Sequence, residues 1–188
     1  CQSHLRAMQA IQEGRFQSQI MPIMRPDGLL VRTDEGVRML PDREKMRSLR
    51  PVFKPDGVIT TGNSSQISDG AAAILLASPQ AVGRLNLLPR AQVLARTVVG
   101  SDPVLMLDAP IPATRQALKR ADLDLSQMDV IEINEAFASV VLAWGVEFDV
   151  RDWSRINPNG GAIALGHPLG AAGAALMTKL VHELELSG

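Results

Sequence analysis

"INPNGGAIALGHPLGAAGAALMTKLVHEL", residues 156–184, sets a lone histidine, His167, between a glycine and a proline where a glycine-rich turn feeds a long apolar segment. From Pro168 onward, positions 169, 173, 176, 180 and 184 recur at helical spacing, which predicts a final helix with one buried stripe and proline in its first turn. A histidine there stands near the positive end of the helix dipole, which disfavours imidazolium and leaves a neutral ring able to take a proton. Such a ring could activate a thiol or donate its other N–H to a developing oxyanion. A phosphate-cradling loop is the rival reading of the glycines, but neither GxxxxGK[ST] nor GxGxxG occurs.

Immediately upstream, "MDVIEIN" (128–134) reads as a strand and "EAFASVVLAWGVEF" (135–148) as a helix. "PATRQALKRA" (112–121) precedes them as another helix, with proline in its first turn and basic residues in its last. Continuous apolar runs at 69–78 and 92–99 predict two further strands, the first buried on both faces. Near the N-terminus, Leu5, Met8 and Ile11 mark a short helix over 3–13, with Gly14 as its stop. Residues 16–55 read as loops and short strands, with one helix near "PDREKMRSL". Strands alternating with helices across short connections predict an α/β layer architecture. Two strand-to-helix junctions then carry polar residues: Asn134 with Glu135 at one, His167 at the other. Such junctions are where open α/β sheets bind ligands, although Asn134 alone could equally be a helix N-cap.

Composition narrows the classes. At 46% hydrophobic and 21% charged, the chain is expected to fold. Neither a membrane span nor a signal peptide is indicated, so the expectation is a soluble, cytoplasmic protein. A single cysteine, Cys1, excludes an internal disulfide framework, and three scattered histidines without CxxC or HExxH argue against a metal site. Residues 1–54 carry ten Lys/Arg against six Asp/Glu, a weak pointer to an anionic partner. Nucleic acid is not the expected one, because the few aromatic residues do not interleave with the basic run.

"NEAFA" (134–138) and "NPNGGAIALGHPLGAAGA" (157–174) together resemble the thiolase family, the acetyl-CoA acetyltransferases and 3-ketoacyl-CoA thiolases. The resemblance continues through "GNSSQISDGAAAILLAS" (62–78), "VGSDPVLMLDAPIPATRQAL" (99–118) and "SHLRAMQAIQEGRFQSQIMPI" (3–23), so it spans essentially the whole chain. It implies a thiolase fold, a mixed sheet with helices on both faces, present in part. Residues 1–61 would be part of an inserted loop domain, 62–88 the end of the N-terminal half, and 89–188 most of the C-terminal half.

By the same resemblance the chemistry is thiolytic cleavage of 3-ketoacyl-CoA or its reverse, Claisen condensation of acyl-CoA. His167 would activate a nucleophilic cysteine and help bind the thioester oxygen, and Asn134 would hold a water completing that oxyanion site. Arg38, Ser65 and Phe137 would contact coenzyme A, which is a substrate; no permanently bound cofactor is implied. Gln66 stands where the family usually has glycine. A homodimer or homotetramer is implied by analogy. The family's two cysteine contexts, "CASG" and a later "CxG", do not occur here, so these 188 residues alone are expected to be inactive. Two readings stay open: a stretch of a full thiolase, or a catalytically inactive truncated relative acting in CoA binding or protein interaction.

Overall fold

Helix α1 (Gln2–Gln12) turns its small residues inward: Ala7 and Ala10 are fully buried, whereas Leu5 of the expected apolar stripe is exposed. In this computed structural model, which describes residues 1–188, α1 packs against a short helix, α6 (Ala162–Leu165). Close approach explains the choice of face. A Cβ on Gly160 would lie 2.6 Å from the Ser3 carbonyl oxygen and 2.8 Å from the Ala7 methyl, so bulkier residues on this face would push α1 away.

Between these helices the chain runs through a two-stranded antiparallel ribbon, β1 (Ile23–Met24) and β2 (Leu30–Val31), with Ile23 opposite Val31. Next come α2 (Arg43–Arg47), α3 (Pro79–Leu85), α4 (Pro110–Ala121), a 3-10 turn at Leu125–Gln127, and α5 (Ala138–Glu147). Helix α3 lies beyond the apolar run at 69–78. Its Ser78 hydroxyl accepts from the Ala81 N–H and proline occupies the first turn, so the Ser-Pro pair that ends the apolar run also opens a helix not among those expected from the sequence.

The expected strands are not realised as ladders. Residues 69–77 and 92–99 form no backbone-to-backbone hydrogen bond, and Leu75, Leu76, Leu94 and Val98 are exposed. The segment 128–134 pairs at one point only, Ile131 with Ile156 in parallel. A strand needs a neighbour to supply its ladder, and no segment hydrogen-bonds the backbone of 69–77 or 92–99 to its own.

The final helix, α7 (Ala172–Ser187), begins later than the sequence suggests and buries a flank of the expected stripe most deeply, leaving Leu176 and Leu180 of the stripe half-buried. Lys179, His182 and Glu183 are buried while Leu169 and Leu184 are exposed. The polar face turns inward because partners await it: Lys179 Nζ pairs with Glu132 at 2.8 Å, and Glu183 accepts from Arg15 Nη1 at 2.9 Å and from Asn159 Nδ2 at 2.6 Å.

The apolar core joins Ile133, Val141, Trp144 and Ile156, with Ile111, Phe148 and Trp153 packed around them. Trp144 is 2% exposed, and its indole N–H donates to Thr114 Oγ1 at 2.9 Å, tying α5 to α4. Trp144→Ala should therefore cost about 3 kcal/mol of unfolding free energy through the cavity and the lost indole hydrogen bond, read from urea unfolding followed by far-UV circular dichroism.

Candidate functional site

Asn134 and His167 come together: Asn134 Nδ2 lies 3.4 Å from His167 Nε2, although 33 residues separate them in sequence. Each is fixed by its own scaffold. On the Asn134 side, the buried Asn157 amide acts as a surrogate strand partner. Its Oδ1 accepts from the Ile133 N–H at 2.8 Å and its Nδ2 donates to the Ile133 carbonyl at 2.9 Å. Neighbouring Glu135, also buried, accepts from Ser3 Oγ at 2.6 Å, from Asn157 Nδ2 at 3.2 Å and from the Ile163 N–H at 3.2 Å.

On the His167 side, two glycines set the path. Gly160 and Gly166 have φ of +80° and +91°, a region costly to residues with a Cβ. A Cβ at Gly166 would also collide with Ser68 Oγ. Beyond Gly166 the His167 N–H is shared between the Gln66 carbonyl at 3.1 Å and Ser68 Oγ at 3.0 Å. The histidine thus stands five residues ahead of α7, in the connecting turn rather than at the helix start that the sequence suggests. Its Nδ1 is buried without a hydrogen-bond partner. Unprotonated, His167 Nε2 faces the Asn134 amide as an acceptor; once protonated, the two nitrogens are N–H donors 3.4 Å apart that can share one oxygen about 2.9 Å from each, the spacing an oxyanion requires.

The remaining predicted residues are tied to other segments of the chain. Ser65 N–H donates to the Ala136 carbonyl at 3.0 Å and Ala138 N–H to the Asn63 carbonyl at 2.8 Å, so the "GNSS" segment runs beside Phe137 and pairs Ser64 with it. Phe137 meets Phe53 edge to face, with centroids 5.9 Å apart. Arg38 is held by its backbone: its N–H donates to His4 Nδ1 at 3.1 Å. Cys1 donates its thiol to Met46 Sδ at 3.2 Å. A cleft of about 450 Å³ lies between residues 68–72 and 168–171, on either side of the histidine turn. A slightly larger one, about 470 Å³, near Phe16 and Asp34 contains none of these residues.

Glu132, on the segment leading to Asn134, has its carboxyl pKa pushed up by burial, with Lys179 opposing the shift. Sequence reasoning missed Glu135 and Asn157 as scaffold residues. The available signal was a pair of carboxylates, Glu132 and Glu135, set in an otherwise apolar run that must find donors if buried.

Burial holds the His4 imidazolium pKa below its ordinary 6.5, with nearby cationic groups adding to the effect, so the folded chain prefers the neutral ring that accepts from Arg38. The unfolded state binds more protons in that window, so this contribution is complete above pH 6.5 and is lost on acidification below it. Unfolding midpoints of the chain and of His4→Gln, compared from pH 7.5 downward, should therefore converge as pH drops.

Comparison with known proteins gives two family matches: "Thiolase, N-terminal domain" at residues 1–80 and "Thiolase, C-terminal domain" at residues 87–188. The chain is 47% identical to the beta-ketoadipyl-CoA thiolase of Acinetobacter baylyi, across 99% of this chain and 48% of that protein. It is 49% identical to the steroid 3-ketoacyl-CoA thiolase of Mycobacterium tuberculosis, across 99% and 45%. Among solved structures, the Bacillus anthracis acetyl-CoA acetyltransferase superposes with a TM-score of 0.93 at 39% identity, covering 99% of this chain and 48% of that one. Human mitochondrial 3-ketoacyl-CoA thiolase in complex with CoA superposes with a TM-score of 0.90 at 39% identity, covering 100% and 47%. The chain spans about half the length of the relatives it matches.

Proposed function

Because the chain belongs to the thiolase family, we propose that it supplies the histidine and asparagine of an acyl-CoA C-acyltransferase site. The reaction is thiolytic cleavage of a 3-ketoacyl-CoA, or the reverse Claisen condensation. The observation that carries this reading is the 3.4 Å approach of Asn134 Nδ2 to His167 Nε2, on backbones that are independently tied down.

In the cleavage direction His167 Nε2 takes the proton of a cysteine thiol, and the thiolate attacks the 3-keto carbonyl. The protonated nitrogen then donates to the oxygen on which charge develops, and a water held by Asn134 completes that oxyanion site. Carbon–carbon cleavage leaves an acyl-cysteine, and a second cysteine delivers the proton to the departing acetyl-CoA carbanion. Coenzyme A thiol then takes the acyl group and regenerates the first cysteine. Neither cysteine context occurs among these residues, so both thiols come from sequence outside this stretch, and the stretch alone is inactive.

Coenzyme A is bound along Ser65, Phe137 and Arg38, the guanidinium answering the anionic nucleotide end and the ring the pantetheine arm. Residues 1–61 then form part of the loop domain, 62–88 the end of the N-terminal half and 89–188 most of the C-terminal half. The same reading carries a cytoplasmic enzyme assembled as a homodimer or homotetramer.

In the complete enzyme containing this chain, His167→Ala should lower kcat for thiolysis by about 10³-fold or more, and Asn134→Ala by about 10²-fold. Arg38→Ala should act on the KM for CoA instead, raising it several-fold. Normal turnover by His167→Ala, followed by loss of the 3-ketoacyl-CoA–magnesium absorbance, would remove the assignment.

A further inference from the structure

The Gln66 side chain belongs to no step of the reaction above, yet it ties two distant segments of chain to its own beside the histidine turn. Its Nε2 donates to the Ile163 carbonyl at 2.9 Å, the Ala164 carbonyl at 3.0 Å and the Gly36 carbonyl at 3.0 Å. An amide has two N–H bonds, so one of them is shared. Ile163 and Ala164 are buried, and their carbonyls end a four-residue helix, where the last C=O groups have no intrahelical acceptor role left to fill. The Gln66 backbone carbonyl meanwhile accepts from the His167 N–H at 3.1 Å. One residue therefore grips the chain at Ala164 and again at His167, with only Leu165 and Gly166 between.

That grip matters because Gly166, at φ +91°, is the flexible point of the link, held locally through its own N–H to the Ala162 carbonyl at 3.0 Å, and Gln66 fixes the chain on both sides of it. The Gly36 bond extends the clamp to the turn that carries Arg38, which His4 holds from the other side.

We propose that Gln66 is a positioning residue of the acyl-transfer site, its side-chain amide fixing the place of His167 relative to Asn134 and joining the histidine turn to the Arg38 turn. This rests on the functional reading given above. Misplacing a catalytic group by about 1 Å can cost up to about 10² in rate, so a clamp of this kind acts on kcat rather than on ground-state binding.

The test is Gln66→Met in the complete enzyme, which keeps side-chain length and volume but removes both donors. Turnover is normalised to active-site thiols titrated with iodoacetamide, at a temperature where circular dichroism shows the variant folded, with His167→Ala assayed alongside. The expected result is a fall in kcat of about tenfold, with KM for the 3-ketoacyl-CoA within twofold. A fall of less than fivefold, or a loss carried by KM alone, overturns the proposal. Should Gln66→Met not fold, Gln66→Ala is judged by the same thresholds, and failure of both to fold overturns the positioning role in favour of a structural one. Full activity in His167→Ala would instead strike at the functional reading, so the two failures are separable.

Discussion

Glu135 lies buried, and three donors from three separate parts of the chain converge on its carboxylate: the Ser3 hydroxyl of α1, the Asn157 amide, and the Ile163 N–H of α6. A carboxyl group removed from water is costly unless such donors meet it, so the segments supplying them are held in register by a strong penalty for leaving. Ser3 passes the constraint on, since its oxygen also accepts from the Gly161 N–H at 3.0 Å. The helix, the asparagine segment and the glycine turn therefore cannot drift independently. The Asn134 and His167 pairing rests on this arrangement, because Glu135 is covalently next to the asparagine and its contacts fix the chain leading to the histidine.

A second buried set repeats the principle along α7. Lys179 meets Glu132 and the Gly160 carbonyl, and Glu183 meets Arg15 and Asn159. Both sets reach the 157–161 turn, one from α1 and one from α7, so the turn is clamped on two sides by polar contacts. Apolar packing holds a different region, the cluster around Trp144 that backs the Asn134 segment. Hydrophobic burial thus sets where the segment lies, and directional bonds set how its functional residues face one another. Meanwhile the apolar runs at 69–77 and 92–99 carry no ladder and stay exposed. Local sequence gives them the character of core strands, yet no other segment pairs its backbone with theirs.

Much was legible in the sequence. Helices were readable wherever proline, capping residues or 3.6-residue spacing marked them, as in α1, α2, α4 and α5. Asn134 and His167 stood out as polar residues at junctions, and the motifs around them pointed to the family. Two readings failed for one shared reason. Periodicity assigns the apolar face of a helix to the interior, but α7 buries Lys179, His182 and Glu183, and α1 buries Ser3, His4 and the two alanines. Charge and size can be judged inward or outward only when the partner is known, and Glu132, Arg15, Asn159 and Gly160 lie far away along the chain.

The sequence by itself determined the family, the helical segments and the identity of the two facing polar residues, because these follow from residue chemistry and local spacing. Only the tertiary structure decided that Asn134 and His167 meet, that Glu135 and Gln66 hold them, and which helix faces go inside. Those outcomes depend on hydrogen bonds between residues 19 to 168 positions apart, and no local pattern encodes which distant donor will satisfy a buried acceptor.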